Sequence, residues 1–175
     1  MFNYDYDKKC ALFASILALV LLVLVSCGKQ MRAEQLTGNA HDVAFRIYEE
    51  AGEDRSGVYE ERVNIENSYI FGISEDDFRE NVEEATVFHP SALSGGKSLC
   101  VIVAKDETAA MELYKTLYGE YDWAPCDPAD SMAFMRFGRY IVTVKDEREQ
   151  TAKLCRAFSA ISDGGATVRF SENPM

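Results

Sequence analysis

Apolar positions fall into two regimes along the chain. Residues 11–26 form one uncharged block, ALFASILALVLLVLVS, with Lys8 and Lys9 ahead of it and Cys27 directly behind. Beyond it, apolar residues recur at helix and strand spacings. Leu36, Ala40, Val43, Ala44, Ile47, Tyr48 and Ala51 predict an amphipathic helix, with Thr37 or Asn39 as its cap and Gly52 as its terminator. Residues 53–67 are acid-rich and weakly periodic, and read as a loop or edge segment. After Tyr69-Ile70-Phe71-Gly72-Ile73, Ser74 has Asp77 three residues on, which predicts a short capped helical turn.

From residue 85 the pattern alternates. Residues 85–88 and 98–104 read as strands across a loop containing Pro90, Gly95 and Gly96; the second, apolar on both faces, is placed centrally. Residues 107–118 predict a helix capped by Asp106 and ended by Gly119, with Ala109, Ala110, Leu113, Leu117 and Tyr118 as its buried stripe. Residues 132–137 and 140–145 flank Gly138-Arg139, a two-residue hairpin signal. A further helix, capped by Asp146 and lined by Leu154, Cys155, Phe158 and Ile161, stops at Gly164-Gly165 before a strand over 166–170. The order from Ser98 predicts a single small α+β domain: an antiparallel sheet with helices packed on one face, ferredoxin-like (βαββαβ), with a helix and an extra strand or two in front. The chain divides into a leader (1–26), a tether (27–36), the folded domain (37–171) and a short tail (172–175).

The leader is too short to span a bilayer. Sixteen helical residues reach roughly 24 Å, against a hydrocarbon core of roughly 30 Å, and the flanking lysines hold the near end inside. Leu24-Val25-Ser26-Cys27 resembles the lipobox of bacterial lipoproteins: an aliphatic residue, a tolerant position, a small residue and then Cys. The resemblance implies diacylglyceryl modification of the Cys27 thiol, cleavage between Ser26 and Cys27, and a mature protein held on the extracytoplasmic face of the cell membrane. Cys10 lies ahead of the apolar block and leaves with the leader. Two acyl chains make such anchoring durable where one would be marginal. The tract from Tyr69 to Ile161 is also similar to a family of small Gram-positive lipoprotein domains of uncharacterised function. The shared features are Tyr69-Ile70-Phe71-Gly72-Ile73, Lys105-Asp106 before a helix, Tyr121, and Gly138-Arg139-Tyr140-Ile141-Val142. That likeness brings no catalytic residues and implies a lipid-anchored extracytoplasmic domain.

Charge narrows the partners. The chain carries a formal net charge of −11 with no basic stripe, so nucleic acid is excluded as a partner. Its membrane association is expected through covalent lipid alone. No spacing for a zinc site or catalytic triad exists: His41 and His89 lie far apart, and Cys-x-x-Cys is absent. Ser94-Gly95-Gly96-Lys97-Ser98 leads into a strand, so its amides do not converge on a phosphate. No metal, cofactor or catalytic residue is assigned.

Cys100 and Cys155 fall on apolar faces and read as core filling, whereas Cys126 lies in a loop from which a disulfide to either remains open. The most unusual segment is 121–130, YDWAPCDPAD. Tyr121, Trp123, Asp127 and Asp130 are the candidate binding residues, against the plainer role of plugging the edge of the core. The expected function is a non-enzymatic binding or envelope-interaction module, for a small ligand or an envelope protein. The alternative is a surface hydrolase using carboxylates of the 121–130 loop, such as Asp127 and Asp130, which it expects to converge in one pocket.

Overall fold

In the computed structural model, which describes residues 36–90, 96–124 and 127–174, Asn39 opens the first helix, α1 (Ala40–Ala51), through a capping box with Asp42. The leader, the lipobox and Cys126 lie outside the described residues. Gly52 ends α1 in the left-handed region at φ 66°, where a side chain would be strained. An edge strand, β1 (Tyr59–Val63), and a 3₁₀ helix (Ile65–Phe71) follow. Ser74 caps α2 (Glu75–Asn81) by accepting from the Asp77 amide, as its spacing predicts. Next come β2 (Val82–His89), β3 (Ser98–Ala104), α3 (Glu107–Gly119), β4 (Ser131–Phe137), β5 (Tyr140–Asp146), α4 (Arg148–Ile161) and β6 (Thr167–Glu172).

Among the described residues the sheet has six antiparallel strands in the order β1-β2-β3-β5-β4-β6. This corrects the expected ferredoxin-like order, in which the last strand would lie beside β3. That place is taken by β2, which forms a hairpin with β3, so β6 pairs with the free edge of β4.

The helices lie on both faces, which corrects the expectation of one. The helices α1 and α4 cover a face built on Phe88, Leu99, Val101, Met135 and Val142. The helices α2 and α3 cover the opposite face, built on Val87, Ile102, Phe134 and Ile141. Crossover handedness gives the physical reason. The connections β3-α3-β4 and β5-α4-β6 each skip one strand in the same lateral direction, but they start from strands of opposite sense. Crossovers of one hand then place their helices on opposite faces.

Smaller corrections follow from burial. In α3 the buried aromatic is Tyr114 and not Tyr118, which is 39% exposed. Gly119 stays helical and Glu120 caps the end. Asp146 does not cap α4. It continues the β5 ladder opposite Ser131, and its carboxylate meets Lys97 at 3.0 Å, so α4 begins without a side-chain cap. At the ends of the fold, Leu36 is buried in the core, and Asn173 bonds the carbonyls of Asp127 and Ala129.

Cys100 and Cys155 are free buried thiols on opposite faces of the sheet. Burial pushes the Cys155 thiol up to about 12, against roughly 8.5 for an ordinary thiol. Between those values the folded chain keeps a proton that the unfolded chain releases, so stability is full below pH ~8.5 and falls as pH rises. Alkaline denaturation between pH 9 and 11 is expected to lose about 1.4 kcal/mol per pH unit through this group. Cys155→Ala should flatten that part of the slope; an unchanged slope would place the titration elsewhere.

Candidate functional site

The face under α2 and α3 is incompletely covered. With seven residues, α2 reaches about 10 Å, while the eight residues of β2 run about 27 Å. Its Phe78 is buried in the cluster that includes Val82 and Ala85 at the start of β2. At the other end, α3 closes with Thr116, Leu117 and Glu120, and the 3₁₀ helix closes with Ile70, Phe71 and Gly72. Between them a groove of about 440 Å³ opens onto the sheet, a size in the ordinary range for small-molecule sites.

Register builds the floor. One cross-strand row runs Val87, Cys100, Thr143, and the next holds Ser98 opposite Lys145 and Lys145 opposite Met132. Hydrogen-bonding groups thus stand at alternate positions of two otherwise apolar central strands, all facing one side. The Cys100 thiol lies 3.8 Å from the Ser98 hydroxyl. Burial pushes its pKa up, although Thr143, Ser98 and Lys145 pull the other way. It is a protonated donor and not a nucleophile. Lys145 is already engaged, since its ammonium forms an ion pair with the Asp127 carboxylate, whose side chain is 3% exposed.

Tyr121 forms a wall of the groove. It stands edge-on between Trp123, at 5.4 Å, and Phe134, at 5.5 Å. Burial, then Asp127 and Asp122, push its hydroxyl up to about 12, so it is a neutral phenol. Trp123 donates to the Ser171 hydroxyl at 3.0 Å and fixes the segment to β6.

The four candidate residues of the 121–130 loop therefore separate. Tyr121 lines the groove, Trp123 backs it, Asp127 sits behind Lys145, and Asp130 is outside the lining. Asp127 accepts from the Ala129 amide at 3.1 Å and shapes the turn into β4. Asp127 and Asp130 do not converge in the groove. Asp130 Oδ1 is buried without a hydrogen-bond partner among the described residues.

Sequence reasoning missed Ser98, Cys100, Thr143 and Lys145 as site residues. A signal was present: polar residues two apart in SLCVIVA and again in YIVTVKD. Among the described residues no group of three His, Cys, Asp or Glu side chains is placed to hold a metal ion. His41 instead stacks on Phe45 at 4.0 Å and meets Glu60 at 2.8 Å on the other face of the sheet.

No family model, curated protein or solved structure matches the chain.

Proposed function

We propose that this protein is a membrane-tethered, extracytoplasmic binding module, anchored by lipid on Cys27 and taking a small ligand in the groove over the sheet. The observation that supports binding is the groove itself: apolar walls over a floor of Ser98, Cys100, Thr143 and a neutralised Lys145. Such a mixture of apolar area and few convergent polar groups is what small-molecule sites present. The anchor is supported by the Lys8-Lys9 flank, the short apolar block and Leu24-Val25-Ser26-Cys27 in register.

The hydrolase reading gains nothing from Asp127 and Asp130. Of its two carboxylates, Asp127 is committed to Lys145, and neither lines the groove.

Cell fractionation tests the anchor. Wild-type protein is expected in the membrane fraction with labelled palmitate incorporated, and Cys27→Ala is expected to lose the label and leave the membrane fraction. A Cys27→Ala form that stays acylated would refute the assignment. Binding is tested by titrating small apolar ligands against the emission of Trp123, the chain's single tryptophan, which contacts the groove wall through Tyr121.

A further inference from the structure

We infer that the groove selects an organic cation, an amine on an apolar body, over a neutral or anionic ligand of the same shape. The inference deepens the binding reading and rests on it. Charge distribution decides it. Lys145 is the lining's one lysine or arginine among the described residues, and Asp127 neutralises it from behind. An incoming anion therefore finds Lys145 already paired, with the His89 imidazole, which meets the Lys97 carbonyl at 3.4 Å, as the other basic side chain of the lining among the described residues, and displacing Asp127 would strand a buried carboxylate.

The mouth has the opposite character. Glu120 and Asp122 both line the groove, both are exposed, and neither has an ion-pair partner among the described residues. The net charge of −11 adds a background field of the same sign. Tyr121 and Phe71 line the groove, and aromatic rings attract an ammonium through their faces. The apolar body would lie on Val87, Leu117 and Met132 while Ser98 and Thr143 offer hydrogen bonds from below.

Three probes of matched shape isolate the charge: 3-phenylpropylamine, 3-phenylpropanol and 3-phenylpropanoate, titrated into the full chain at pH 8 and low salt with Trp123 emission as readout. The amine is expected to bind roughly three- to tenfold tighter than the alcohol, with the carboxylate weakest and the gap narrowing as salt is added. In Glu120→Gln/Asp122→Asn the amine should fall to the affinity of the alcohol. Equal binding of alcohol and amine, or a preference for the carboxylate, would overturn the charge selection and leave the binding reading standing. A gap that survives the double substitution would overturn the assignment to these two carboxylates. Silence from all three probes, checked by a ligand-observed nuclear magnetic resonance titration, would overturn the binding reading together with the inference.

Discussion

Replacing Lys145 by methionine is expected to cost the domain about 3 kcal/mol, seen as a fall in Tm of about 10 °C. The stem length is nearly preserved, so the loss comes from charge. Asp127 has a side chain only 3% exposed, and Lys145 provides its ion pair. Beyond that ion pair it accepts from one backbone amide, that of Ala129. A carboxylate stripped of its cation in that position is poorly solvated, and breaking one half of a buried pair is the expensive way to lose it. Removing both charges is different. Asp127→Asn keeps an acceptor for the Ala129 amide, so Asp127→Asn with Lys145→Met should return to within about 1 kcal/mol of the wild type. A chemical-denaturation cycle over the four forms measures the coupling. If Lys145→Met alone costs less than about 1 kcal/mol, the pair is a surface contact and the floor of the groove is not neutralised as described.

Local chemistry was the readable part of this fold. The Ser74 and Asp106 caps, the Gly138-Arg139 hairpin and the apolar run of β3 each declare themselves within a few residues and are found where their patterns put them, and of the two caps open for α1, Thr37 and Asn39, the structure uses Asn39. What depends on competition between distant segments was not readable. The lateral place of β6 is decided by β2, more than 80 positions earlier, having taken the edge of β3. Asp146 looks like a helix cap in isolation, yet its ladder position opposite Ser131 and the ammonium of Lys97 claim it instead. The groove follows the same division. Tyr121 and Trp123 stand out as an aromatic cluster in a turn-rich loop, but Ser98 and Lys145 become neighbours only through the β3-β5 register. Polar residues in an apolar strand mark where a sheet is left uncovered, and only pairing tells which of them meet.

Phe134→Ala is expected to be the most damaging single truncation on the groove side of the sheet, at about 4 kcal/mol. Phe134 is fully buried on β4, opposite Thr143 of the floor. Its ring makes T-shaped contacts with Tyr118 at 5.6 Å and Tyr121 at 5.5 Å, so it braces both the end of α3 and the wall of the groove. Truncation adds a cavity to the lost transfer energy, because α3 is held by several other buried residues and cannot fully collapse into the gap. Phe134→Leu separates packing from bracing. It keeps most of the apolar volume and should lose about 1–2 kcal/mol, since each edge-on aromatic contact is worth about 0.5–1.5 kcal/mol beyond area. Tyr121 would then lose one of its two ring partners and keep only Trp123. The expected signature in Phe134→Leu is therefore a domain still folded but with altered Trp123 emission, altered near-ultraviolet dichroism and weaker ligand response. Unchanged Trp123 spectra in Phe134→Leu would mean that the loop holds its shape through the Ser171 hydrogen bond alone, and the groove wall would no longer depend on the core beneath it.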